Sequence, residues 1–145
     1  MDIIRRGEIY LVCLDPVFGR EIGGFKMRPV VVVSISDMNR ITRLVTVVPG
    51  TDAEHKRSDF DNVVMVNPNG SNGLRKPTLF QCHQIRAIER GRFTQTAKGR
   101  LSRIEFEEIE KAIGFCLGLS LVRPGAHSPG AASAVSGRDT RGSAR

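Results

Sequence analysis

The chain has 145 residues, of which 40% are hydrophobic, enough for one domain with a modest core. Its longest clean apolar run, Val30 to Val33, is far shorter than a bilayer-crossing helix, and the start Met1-Asp2-Ile3-Ile4-Arg5 has no signal-peptide core, so a cytoplasmic location with no membrane partner is expected. The net charge of +7 and pI near 10.0 favour a polyanionic partner through counterion release, although four basic residues (Arg123, Arg138, Arg141, Arg145) and one acid (Asp139) lie near the C-terminus, leaving +4 on residues 1–121.

In chain order, the first predicted strand is Glu8 to Leu14, rich in Ile, Tyr and Val and closed by Asp15-Pro16. The second is Pro29 to Ser34. Its continuous β-branched run is too short for a helix and reads as a central strand buried on both faces, with Pro29 confined to its start and Arg28 at its mouth. Leu44 to Val48 and Asn62 to Val66 are the third and fourth strands, separated by a polar loop from Gly50 to Asp61, and Pro68-Asn69-Gly70 then turns the chain. Thr78 to Ile88 is a fifth, longer strand whose face alternation is imperfect. One amphipathic helix follows. Ser102 and Glu105 form an S-x-x-E capping box, Ile109, Ala112, Ile113, Cys116 and Leu117 recur at helical spacing, and Gly118 is placed to end it.

Short strands first, a single helix last and no βαβ alternation predict an α+β fold, an antiparallel sheet curled into a small barrel and covered by the helix. The domain is expected over residues 1–121. From Val122 to Arg145 the composition turns to Pro, Gly, Ala and Ser without apolar periodicity, which predicts a disordered tail.

The chemistry is not advertised by a Walker, Rossmann, zincin or nucleophile-elbow motif. Cys13, Cys82 and Cys116 have no Cys-x-x-Cys spacing and read as buried thiols. His55, His83 and His127 are equally scattered, so no metal site and no cofactor are expected. Two breaks carry polar residues to strand ends: Gly19 to Arg28 before the second strand, and Pro49-Gly50-Thr51-Asp52 after the third. On spacing alone the first is a flexible hairpin loop with a solvated Arg28, and Thr51 is a turn hydroxyl.

Several segments, taken in order, carry more. Arg6-Gly7-Glu8-Ile9-Tyr10-Leu11-Val12, Leu14-Asp15-Pro16, Gly23-Gly24, Arg28-Pro29-Val30-Val31-Val32-Val33-Ser34 and Val47-Val48-Pro49-Gly50-Thr51 together resemble the MazF/PemK toxins. Asn39-Arg40-Ile41-Thr42-Arg43-Leu44 is similar to the PemK branch, and Gly73-Leu74-Arg75-Lys76, Gln84-Ile85-Arg86-Ala87-Ile88 and Leu117-Gly118-Leu119 extend the resemblance to about residues 4–120.

The resemblance implies a dimeric SH3-like barrel that cleaves single-stranded RNA at short sequences without a metal. It leaves a 2′,3′-cyclic phosphate and a 5′-hydroxyl, and a cognate antitoxin, expected to be acidic, holds it inactive. The family's phosphate-contacting arginine and threonine fall on Arg28 and Thr51. A guanidinium suits charge building on a five-coordinate phosphorus, and a threonine hydroxyl can donate to or orient the same phosphate. Some PemK-like members use a first-loop histidine and a fifth-strand aspartate; here Arg20 and His83 stand there, and an imidazole is suited to accept a proton near neutral pH. Glu21 could orient the Arg28 guanidinium or contact a base. Gln84 and Arg86 could line the RNA groove, with Arg92 as surface charge, while Phe18 and Phe25 could stack on splayed bases. Two extra residues between Gly24 and Arg28, relative to shorter family loops, suggest a different RNA sequence preference.

Three alternatives remain at this point: a non-catalytic gyrase poison of the CcdB kind with the same fold, a barrel-type nucleic-acid-binding module, and a toxin homologue whose activity has decayed. The first relies in its family on a tryptophan near the chain end, and this chain has none.

Overall fold

The computed structural model describes residues 3–53 and 60–120; the expected tail at 122–145, His55 and His127 lie outside the described residues. In chain order the elements are β1 (Glu8–Cys13), β2 (Met27–Val32), α1 (Ser36–Thr42), β3 (Leu44–Asp52), β4 (Val63–Val66), β5 (Thr78–Gln81), β6 (Arg86–Glu89), β7 (Gly99–Arg100) and α2 (Arg103–Leu117). The strands lie in the order β4-β5-β3-β2-β1-β7, with β6 also paired to β3, and the pairings are antiparallel.

The valine run explains the architecture. Val30, Val31 and Val32 are all fully buried, and their alternation divides them between two cores. Val30 and Val32 join Tyr10, Val12, Leu14, Val45, Val47 and Ile88 inside the curl of the sheet. Val31 joins Ile9, Val48 and Phe80 on the other face, where Ile109 and Ala112 of α2 cover it. The result is a curled antiparallel half-barrel closed by a C-terminal helix, as the strand and helix patterns predict. The helix begins as expected: Ser102 Oγ accepts from Glu105 N–H at 3.1 Å, Glu105 Oε1 accepts from Ser102 N–H at 2.8 Å, and Gly118 ends it at a left-handed φ of 69°. Ser102→Ala should therefore cost about 1 kcal/mol of stability in chemical denaturation, since it removes one half of this reciprocal cap.

Local reading failed in four places. β3 does not stop at Val48 but runs through Pro49 and Gly50 to Asp52, because β5 offers Gly50, Thr51 and Asp52 a partner edge. β2 begins at Met27, so Arg28 lies within a strand and faces Val12 of β1, where the sequence had suggested its mouth. The long strand expected over Thr78 to Ile88 is two strands, β5 and β6, joined through a 3₁₀ turn at Cys82–Gln84. Helix α1 was not anticipated. It has only seven residues and no side-chain cap, and it is held by Asn39, which is fully buried and donates to the carbonyls of Ile4 (2.8 Å) and Ser34 (3.2 Å).

Only one cysteine is fully buried as expected. Burial, with Cys116 nearby as a smaller contribution, pushes the Cys82 thiol up to about 12, while Cys13 and Cys116 are half-buried. A thiol held that far above neutral pH carries almost no thiolate, so Cys82 is a packing residue.

Candidate active site

The two principal candidates stand where β2 and β3 part, Arg28 near the start of β2 and Thr51 near the end of β3. The β2–β3 pairing runs from Val32 and Val47 to Val30 and Pro49 and stops there, and from Gly50 to Asp52 β3 pairs with β5, so Arg28 and Thr51 lie just past the shared end of the ladder. Both alternate with members of the inner core, Val30 and Val32 on β2 and Val45 and Val47 on β3, so they share one face of the sheet. Arg28 is half-buried and its Nε donates to the Gly23 carbonyl at 3.0 Å, which orients the guanidinium through backbone. Thr51 is only 9% exposed, and its Oγ1 accepts from Gln81 Nε2 at 3.2 Å.

The segment between β1 and β2 is clasped from several sides. Gly24 N–H donates to Asp15 Oδ1 at 2.6 Å, Phe18 N–H donates to Glu21 Oε1 at 2.9 Å, and Ile22 N–H donates to Gln84 Oε1 at 2.7 Å. Gln84 Nε2 in turn donates to the Arg20 carbonyl at 3.3 Å, and Ile22 anchors its side chain in the inner core. Both glycines are needed here. Gly24 has φ of +104°, a region L side chains rarely adopt, and a Cβ at Gly23 would lie 2.3 Å from Val17 Cγ2. The flexible loop expected from composition is thus a folded strap, and it leaves Phe18 (86%) and Phe25 (95%) almost fully exposed. Glu21 serves the strap itself, through Phe18 N–H, while the carbonyl of Gly23 orients Arg28.

A groove of about 550 Å³ lies between this strap and the 3₁₀ turn, lined by Arg20, Glu21, His83, Gln84, Ile85 and Arg86. The 3₁₀ turn builds it. Thr51 pairs with Leu79 and Val47 with Arg86, so four residues back along β3 answer to seven residues forward on the opposite edge. The three extra residues bulge out as Cys82–Gln84, which turns Cys82 into the core and leaves His83 exposed. His83 Nδ1 lies 2.7 Å from Asn62 Nδ2. Arg86 is half-buried, and its Nη1 is buried with no hydrogen-bond partner, a costly state for a charged donor until an acceptor or water meets it.

The candidates therefore fall into two groups: Arg28 and Thr51 on the inner-core face past the end of the β2–β3 ladder, and Arg20, Glu21, His83, Gln84 and Arg86 along the groove. Arg92 belongs to neither. Its Nη1 donates to the carbonyls of Cys13 and Asp15 and braces the end of β1, so it is a structural cation, not the loose surface charge expected. Sequence reasoning missed Gln81 and Asn62, which touch Thr51 and His83. Only the pairing of β5 with its neighbours places them there, and nothing in their local sequence marks them.

The family model described as PemK-like, MazF-like toxin of type II toxin-antitoxin system matches residues 5–117. The chain is 34% identical over 113 residues to Endoribonuclease PemK of Escherichia coli, covering 77% of each protein. In fold it is similar to MazF from Deinococcus radiodurans, with a TM-score of 0.69 at 19% identity over 82% of this chain and 100% of the other. It is also similar to an endoribonuclease in complex with its cognate antitoxin from Mycobacterial species, with a TM-score of 0.63 at 21% identity, covering 82% of this chain and 99% of that one.

Proposed function

Since the chain belongs to the PemK-like, MazF-like toxins of type II toxin-antitoxin systems, we propose that it is an endoribonuclease cutting single-stranded RNA at Arg28 and Thr51. What supports this reading is that both side chains lie on the inner-core face of the sheet just past the end of the β2–β3 ladder, with the Arg28 guanidinium held by the Gly23 carbonyl.

The ribose 2′-oxygen attacks the adjacent phosphorus, the bond to the 5′-oxygen breaks, and the products are a 2′,3′-cyclic phosphate and a 5′-hydroxyl. Negative charge builds on the non-bridging oxygens as phosphorus becomes five-coordinate. Arg28, with Nε committed to Gly23, keeps its terminal nitrogens for those oxygens, and a donor fixed before reaction needs no reorganisation to meet the developing charge. Thr51 adds a hydroxyl on the same side.

The 2′-proton needs an acceptor and the 5′-oxygen needs a proton. His83 is the groove's imidazole. Asn62 presents its amide nitrogen to His83 Nδ1 at 2.7 Å, and an amide nitrogen only donates, so the neutral ring carries its hydrogen on Nε2, which suits His83 to give a proton to the departing 5′-oxygen. Exposed Phe18 and Phe25 supply stacking faces for unpaired bases, and Arg20, Gln84 and Arg86 supply donors along the groove. The same donors suit an acidic antitoxin segment laid across the groove, and the active form is a homodimer.

The test is incubation of the purified, antitoxin-free protein with a long single-stranded RNA in EDTA, with product ends mapped by sequencing. Cuts at one short sequence with 5′-hydroxyl ends are expected, at a rate EDTA does not change. Intact RNA in the presence of folded protein would overturn the reading.

A further inference from the structure

We propose that Gln81 is a positioning residue that fixes the Thr51 hydroxyl as a hydrogen-bond donor toward the reacting phosphate, an inference that rests on the role given to Thr51 above. A threonine hydroxyl has one hydrogen to give and two lone pairs, whereas a carboxamide nitrogen can only donate. Gln81 Nε2 donates to Thr51 Oγ1 at 3.2 Å and so occupies a lone pair, which leaves the O–H free to point elsewhere.

The surroundings limit where that hydrogen can go. Thr51 is β-branched, restricted at χ1 and 9% exposed, and its backbone is paired with Leu79 of β5. Gln81 stands two residues beyond Leu79 on the same face of β5, and its own backbone is held opposite Val63 of β4, so the amide reaches Thr51 from a strand fixed on both edges. Arg28, given the phosphate-binding role above, lies on the same face of the sheet just past the end of the β2–β3 ladder, and the hydrogen is directed to the side on which the phosphate would be held. Accepting a hydrogen bond also polarises the hydroxyl, making it a stronger donor and a poorer base. Thr51 then donates to a non-bridging oxygen and does not take the 2′-proton, which leaves that task to another group.

The experiment uses the full chain and a short RNA spanning a cut mapped on the long substrate. Single-turnover rates and half-saturation concentrations are compared for the wild type, Gln81→Met, Thr51→Ala and the double variant. Gln81→Met keeps length and neutrality but loses the donor; it should lower the saturating rate about 3- to 10-fold with half-saturation nearly unchanged. In the Thr51→Ala background the same substitution should change the rate less than about 2-fold, because its target is gone. Gln81→Glu, of similar shape but unable to donate when ionised, should be at least as slow as Gln81→Met, with thermal unfolding of all variants close to wild type. An unchanged rate for Gln81→Met, or an equal loss in both backgrounds, would overturn the proposal while leaving Thr51 in place. A Thr51→Ala variant that cleaves at the wild-type rate would instead remove the site reading, and the proposal with it.

Discussion

Arg28→Ala should lower the rate of RNA cleavage by about 10²- to 10³-fold, the loss typical of removing a donor that meets charge developing in the transition state. The fold should survive, because Arg28 is half-buried and gives its Nε to a loop carbonyl, outside the two apolar cores. Single-turnover cleavage of a long single-stranded RNA, read beside circular dichroism and antitoxin binding, separates the chemistry from the scaffold. Arg28→Lys is the informative companion. It keeps the charge but not the planar fork, and with no Nε to hold against Gly23 it should recover only a small part of the lost rate. Cleavage by Arg28→Ala at the wild-type rate would mean the phosphate is bound elsewhere.

The largest stability effect should come from Phe80→Ala. Phe80 is fully buried and packs in the core between sheet and α2 with Ile9, Val31, Val48 and Ile109. Opposite it stands Gly50, where even a Cβ would lie 3.0 Å from the Phe80 ring. Strands β3 and β5 are thus close-packed around this one ring, and truncating it removes apolar burial and leaves a cavity that rigid neighbours cannot fill. The expected cost is about 3–5 kcal/mol, seen as a thermal midpoint lower by more than about 10 °C. A fall of only a degree or two would show that α2 settles inward.

How much of this was legible in the sequence depends on the range of the interaction. The capping box at Ser102 and Glu105 and the doubly buried valine run are local signals, and α2 and β2 follow from them closely. Strand β7 is only two residues long, and α1 is held by one buried asparagine, so neither carries a pattern of its own. The imperfect alternation over Thr78 to Ile88 was a true signal of the 3₁₀ turn, but the turn's offset becomes definite only against β3. Arg28 and Thr51 were singled out by resemblance; that both fall on one face of the sheet at the end of the β2–β3 ladder is a property of strand pairing, which no spacing between positions 28 and 51 encodes. Gln81 reads as an ordinary strand residue until its partner strands are known.

The bulge at Cys82–Gln84 also separates two kinds of inheritance. The ladders on either side of it are tied to β3, so a change there disturbs the barrel, whereas His83 projects from residues the ladder does not count. Together with the strap it faces across the groove, the bulge is a place where side chains can be exchanged while the strands beneath keep the same pairing; under the function proposed above, RNA sequence preference would change there.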